Sequence, residues 1–350
     1  LIRQIARLTK TLPSFSEQAI AIAVYADAQG DYVTAQEAGF EGVACIDDAA
    51  RGFDLFCAIW RNTGLEWAKH WCDGLLDFIL AMQQDDGQWF NFIKDWDGTI
   101  NRDSRTSLAG GHFWQARAML ALARARTLFD DPRLNDALSR GSTPLHDEPA
   151  PSDVRALHVL TAIELQDHGD VWTPSIVKWC EEIVACSDGR VLMNSPDERG
   201  VPHLWGHLQE FALAKASVVL DAPRLLDVAE QSAATIFNDL IRSGFDRPRT
   251  SPYDVASAVA AMSELAIVTK DPEYEDLATL ARRWFHGRNP ASEPVYDATL
   301  GLVADGIDHG RMSTNSGAES NIEGAIALLD ETIERSRSLD FTTLSPWGAT

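Results

Sequence analysis

Basic charge is what this sequence lacks most. Thirty Lys and Arg stand against 52 Asp and Glu, a formal net charge of −22 over 350 residues. A phosphate backbone demands a basic face, and an anionic leaflet attracts polybasic segments. Nucleic acid and membrane surfaces are therefore not expected as partners. A strongly anionic polysaccharide would need a local Arg cluster acting against this field, so neutral ligands are favoured. Long apolar runs are also missing, since none approaches the ~20 residues that a spanning helix requires. Cysteine is scarce and odd in number, with Cys45, Cys57, Cys72, Cys180 and Cys186 at no regular spacing. That pattern suits reduced, buried thiols in a cytoplasmic protein. Cys180 and Cys186 fall on one expected helix, where they cannot readily pair. No Cys/His spacing reads as a zinc site, and His203 and His207 lack the His-Glu-x-x-His order. There is no Gly-rich phosphate loop, nucleophile elbow or dinucleotide fingerprint. The expectation is chemistry by side chains alone, without metal or cofactor. The chain opens on Leu1 rather than Met, so a leader removed before that point would not be legible.

Strand-like alternation is nearly absent, and helical periodicity fills most of the chain. The spacing predicts helices over 16–29, 46–62, 65–83, 107–129, 131–140, 152–167, 173–186, 204–220, 223–242, 252–269, 272–286 and 316–336. Pro132, Pro174, Pro223, Pro252 and Pro272 sit in first turns, and Gly64 and Gly244 sit where C-terminal caps belong. Links such as Thr63-Gly64, Asp221-Ala222 and Lys270-Asp271 are too short for anything but antiparallel helical hairpins. Longer polar connections at 84–106, 187–203 and 287–315 separate the hairpins. Six hairpins with alternating short and long links describe an all-α, (α/α)6 toroid. An open α-solenoid is the alternative, but no fixed-period repeat supports it. The weakest joint, 141–152, reads as a loop inside a single domain spanning 1–350. Asp97-Gly98, between short aromatic runs, predicts a small β-hairpin in one long loop.

The stretch 284–324 organises the candidate site. It holds Trp284, Tyr296, Asp297, Asp305, Asp308, His309, Asn315 and Glu319 between two helical runs, and long loops in compact domains are commonly functional. Ser316 and Glu319 also fit a capping box. Asp48 and Arg51 share one face of a helix start, so Asp48 is either an N-cap or a pocket carboxylate held ionised by Arg51 and the helix terminus. Asp103, with Arg105 and His112 nearby, is a second candidate carboxylate, again with a cap as the plainer reading. Gly110-Gly111 inside a helical pattern hints at a close backbone or ligand approach. Trp205 and His207, with Glu210, open another helix after a long loop, and Tyr253 and Asp254 open the next. Trp89, Trp96, Trp114 and Trp205 lie in or beside long loops and are free to stack on sugar faces. Trp60, Trp67, Trp71 and Trp179 fall on core stripes. The Gln83-to-Trp89 spacing is similar to the QW motif of triterpene cyclases, but their Asp-x-Asp-Asp acid motif is absent.

Taken in order, Asp47-Asp48-Ala-Ala-Arg51, the Asp-Gly turn before Asn91, Asp103-Ser104, Trp284-Phe-His-Gly-Arg-Asn289, Tyr296-Asp297, Asp305-Gly306 and Asn315-Ser-Gly-Ala-Glu319-Ser320 resemble one group of bacterial toroid domains. These belong to the six-hairpin glycosidase-like superfamily and occur alone or fused behind glycosyltransferases. The resemblance runs from about 40 to 330. The sequence departs from it at Arg102 and Arg105, where an acidic residue and a His are expected, and it matches poorly over 187–215. The resemblance implies a carbohydrate partner, and a glycosyltransferase where such domains are fused. The leading expectation is an inverting glycoside hydrolase with Asp48 and Glu319 as the acid–base pair and Asp103 as rival. Arg51, Asn91, Arg105, His112, His207 and Asp254 would line subsites. A non-catalytic toroid that binds glycan or a glycosyltransferase is the second reading. A sugar epimerase or polysaccharide lyase, using His112, His207 or Tyr253 as base, is the third.

Overall fold

The computed structural model describes residues 1–33, 41–110, 112–147, 149–166, 170–195, 197–339 and 345–347, without the side chains of His112, Pro144, His146, Asp147 and Asp170. Helices dominate it. In chain order they are α1 (Ile2–Leu8), α2 (Ile46–Thr63), α3 (Glu66–Met82), α4 (His112–Leu128), α5 (Arg133–Asp147), α6 (Ser152–Gln166) and α7 (Thr173–Ala185). They continue as α8 (Gln209–Val219), α9 (Pro223–Ser243), α10 (Pro252–Thr269), α11 (Pro272–Arg282), α12 (Ala318–Ala327) and α13 (Leu329–Ser336). None among the described residues is long and apolar enough to cross a membrane.

The chain forms two compact units. The first comprises Leu1–Pro144, Tyr296–Asp305 and Ser313–Thr350; the second comprises Leu145–Val295 and Gly306–Met312. In the first, α2 packs between α12 and α4 and forms a hairpin with α3. Gly64 closes α2 in the left-handed region, its N–H bonding the Trp60 carbonyl, which lets the chain reverse within two residues. Phe56 then meets Trp71 across the hairpin at 4.6 Å between ring centroids. In the second unit, α8 packs between α6 and α10, and α6–α7, α8–α9 and α10–α11 are the hairpins. Pro223, Pro252 and Pro272 open their helices as the sequence predicts.

Several boundaries differ from expectation. The predicted helix over 16–29 is instead a strand, Ile20–Ile22, paired antiparallel with Thr9–Thr11. Its Ala/Ile/Val run suits either period, and both faces are buried. The short α1 was not foreseen. Helix α4 begins at His112 because Ser104–Gly110 forms turns, with Gly110 at φ +82. The last predicted helix breaks at Leu328 into α12 and α13. The loop hairpin does form: Ile93 bridges Ile100, and Lys94 N–H bonds the Thr99 carbonyl at 2.7 Å. Phe92–Ile93 also pairs antiparallel with Ala44–Cys45, and that pairing fixes where α2 starts.

Candidate active site

The start of α2 places two acidic residues without using them as caps. Cys45 Sγ accepts the Asp48 N–H at 3.4 Å, and Asn91 Oδ1 accepts the Asp47 N–H at 3.2 Å. Both carboxylates are therefore free to turn elsewhere, and both turn to arginine. Asp47 contacts the Arg51 guanidinium and lies 2.8 Å from Arg117 Nε. Asp48 Oδ1 lies 3.4 Å from Arg51 Nη2. From the C-terminal segment of the first unit, α12 contributes Glu319, which meets Arg51 Nη1, and Glu323, whose Oε1 is 3.3 Å from the same nitrogen. Glu319 is likewise not spent on a capping box. Gly317 is the N-cap of α12, Asp305 Oδ1 accepts the Gly317 N–H at 2.7 Å, and Ser316 Oγ donates to the Val303 carbonyl.

Four carboxylates thus face two guanidinium groups. Their burial is graded: the Asp48 side chain is 3% exposed, that of Glu319 26%. Burial pushes the Asp48 carboxyl up to about 7; Arg51 opposes this, while Glu319 and Asp47 add to it. Burial also raises Glu323 against the pull of Arg51 and Arg117. Four carboxylates outnumber the two guanidinium groups, and burial favours the protonated form of Asp48 and Glu323. Tyr25, half-buried and within the field of Asp48, donates to Glu41 Oε2 at 2.8 Å; its hydroxyl is raised by burial and by that carboxylate.

Of the sequence candidates in this unit, Asp48, Arg51 and Glu319 come together, with Asn91 beneath them as a cap. Asn91 Nδ2 is tied to the Thr106 carbonyl. Asp103 lies apart: its side chain is 80% exposed and pairs with Lys94 at 2.6 Å, and that hydrogen bond lowers its carboxyl. Arg105 is exposed, as is Asn315, whose carbonyl accepts the Asp305 N–H. Trp89 is completely buried and donates to the Ile79 carbonyl, a core position with no face for a sugar. Trp114 is half-buried and bonded to the Trp89 carbonyl at 3.0 Å. Trp96 is half-exposed, 6.0 Å from Tyr32, with Lys10 Nζ 4.9 Å from its ring centroid. The side chain of His112 lies outside the described residues. Arg117 and Glu323 were not picked out from the sequence. An Arg inside the Ala-rich run of α4, and a Glu one helical turn after Glu319, were the available signals.

The second unit holds its own polar group. His207 is fully buried, with Nε2 at 3.0 Å from Glu210 Oε2 and Nδ1 at 3.1 Å from Asn194 Oδ1. Ser232 Oγ donates to Glu210 at 2.6 Å. Burial alone would raise the Glu210 carboxyl, but His207 and Ser232 overcome it and hold the group below its usual value. Next to this group, the half-exposed His203 has Nε2 at 3.5 Å from buried Asp153 Oδ2 and Nδ1 at 3.1 Å from the Trp205 carbonyl. Burial raises the Asp153 carboxyl. Trp205 and Tyr253 are half-buried, and Asp254 is bound by Ser251 and by Arg247 at 2.6 Å.

No family model matches the sequence, and no curated protein matches it. Solved structures do match the fold. A sugar epimerase from a ruminal bacterium superposes with a TM-score of 0.68 at 11% identity, over 96% of this chain and 98% of that one. A D-mannose isomerase gives 0.67 at 10% identity, over 96% and 97%. A family 76 glycoside hydrolase from a bovine Bacteroides thetaiotaomicron strain gives 0.64 at 12% identity, over 94% and 75%. The fold is an all-α (α/α)6 toroid, with small β-hairpins in its loops.

Proposed function

We propose that this chain is a carbohydrate-active enzyme that hydrolyses glycosidic bonds of a neutral glycan with inversion, and that the Arg51 cluster is its catalytic centre. The observation that carries the reading is Asp48, pushed up to about 7 beside Glu319 on a shared guanidinium. Inverting hydrolysis needs one carboxyl that is protonated at working pH and another that is ionised, on opposite sides of the scissile bond. Glu319, the more open of the two, is the carboxylate that meets the attacking water. Asp48 supplies the proton to the leaving oxygen. Arg51 occupies the space between them in this structure, so the incoming sugar must displace its contact with Glu319. Arg51 and Arg117 hold Asp47 in place beside Asp48, whose raised carboxyl is the proton donor. The charge of −22 favours an uncharged substrate. The (α/α)6 neighbours named for work on sugars support the substrate class.

The experiment is a screen of the purified protein against neutral oligosaccharides and polysaccharides with detection of released reducing sugar. Release that is lost in both Asp48→Asn and Glu319→Gln supports the reading; release that survives both would end it. Binding without release would instead favour a non-catalytic glycan-binding toroid. A second reading, sugar epimerisation or isomerisation, is favoured by a specific feature of the second unit. His203 is half-exposed and backed by the buried Asp153, an arrangement suited to taking and returning a proton at a sugar carbon.

A further inference from the structure

We propose that Cys57 and Cys72 are a disulfide site, closing into a cystine that locks α2 to α3. Their meeting follows from the sequence. Cys57 lies seven residues before Gly64 and Cys72 seven after Leu65, so an antiparallel hairpin turning at Gly64-Leu65 brings them level. The two Sγ atoms are 3.2 Å apart, and both residues are buried, at 4% and 0% exposure. A disulfide needs about 2.0 Å between sulfurs. The pair is therefore about an ångström of travel from bonding, and the two helices already hold the thiols side by side. The other three cysteines have different settings. Cys45 caps α2, Cys180 lies within α7, and Cys186 is the C-cap of α7.

The chemistry balances with a low-molecular-weight disulfide as oxidant. The thiolate of one cysteine attacks oxidised glutathione, releasing one glutathione and forming a mixed disulfide. The second cysteine then attacks the protein sulfur of that mixed disulfide and releases the second glutathione. Two thiols lose two protons and two electrons, and the glutathione disulfide gains them. Burial pushes the Cys57 thiol well up, with the neighbouring Cys72 adding to it, so thiolate is scarce in the folded protein. The bridge consequently forms while the hairpin assembles, or through its local opening, rather than on the intact fold. Once formed, it closes a short loop and restricts the unfolded chain. Because α2 also carries Asp47, Asp48 and Arg51, the bridge anchors the helix that bears the Arg51 cluster. The proposal does not depend on the activity assigned to that cluster.

The test is to refold the protein with oxidised glutathione, alkylate with iodoacetamide, and measure intact mass and non-reducing tryptic peptides. The expected result is loss of about 2 Da, three alkylated cysteines instead of five, and a linked pair of peptides spanning 52–61 and 70–94. Dithiothreitol reverses it. The oxidised protein melts a few degrees above the reduced one, and native protein exposed to the same oxidant reacts far more slowly. Cys57→Ala, if it folds, shows no mass loss. Five alkylated cysteines after oxidative refolding, or a linked pair involving Cys45, Cys180 or Cys186, would overturn the proposal without any variant being needed.

Discussion

Asp48 and Glu319 share one guanidinium: Arg51 Nη2 lies 3.4 Å from Asp48 Oδ1, and Arg51 Nη1 meets Glu319 Oε1. The Arg51–Glu319 contact couples α2 to the first turn of α12 across 268 residues of sequence. The sharing also sets the two carboxyls apart chemically, because one is enclosed and the other reaches toward water.

That enclosure has a signature in stability. The Asp48 carboxyl rises from 3.8 to about 7 on folding. Between those values the folded chain keeps a proton that the unfolded chain has released. Stability therefore falls as pH climbs through this window, and the cost is complete above about 7. The raised groups Glu323, Asp153 and Asp305 act with the same sign. Asp48→Asn cannot ionise, so urea unfolding from pH 4 to pH 8 should give a flatter profile than the parent protein. Equal slopes for the two would show that Asp48 is not the group.

The buried His207–Glu210 pair makes an opposite prediction. Glu210 is lowered on folding, so its contribution is present above the ordinary carboxylate range and is lost as pH falls through its lowered value. Removing the carboxylate by Glu210→Ala leaves His207 Nε2 enclosed without its partner and the Ser232 hydroxyl proton without its acceptor. The expected cost is about 3–5 kcal/mol by chemical denaturation. A change under about 1 kcal/mol would mean that the pair is not closed off as described.

Trp89 and Trp96 divide a class that the sequence treats as one. Trp89→Ala empties a core site and strands the Ile79 carbonyl, so it should cost about 3–5 kcal/mol. Trp96→Ala removes a half-exposed ring beside Tyr32 and Lys10 and should cost at most about 1 kcal/mol. Matched thermal melts of the two variants check this, and similar losses would contradict it.

How much of this was legible depends on whether a feature is local. Helices α2 and α10 could be read almost to the residue, because Gly64 stops one and Pro252 starts the other. The toroid class followed from short links between long periodic runs. The segment 16–29 misled because Ala, Ile and Val at that spacing satisfy a helix and a doubly buried strand equally well. Asp48, Arg51 and Glu319 were singled out individually, and the family resemblance put them in one list. Their meeting on one guanidinium is a long-range contact that no periodicity encodes. The caps show the same limit. Cys45 and Asn91 cap α2 only because Ala44–Cys45 pairs with Phe92–Ile93, so the carboxylates nearest the helix start were free for other partners.

The most direct measurement is proton NMR in D2O of a neutral glycan that the protein converts, comparing parent, Glu319→Gln and Asp103→Asn. The account predicts new reducing ends that appear first as the anomer opposite to the cleaved linkage, with no deuterium on sugar carbons. It also predicts a fall of roughly 100-fold or more for Glu319→Gln and near-parental rates for Asp103→Asn. Deuterium entering a sugar carbon without cleavage, or full activity in Glu319→Gln, would contradict it.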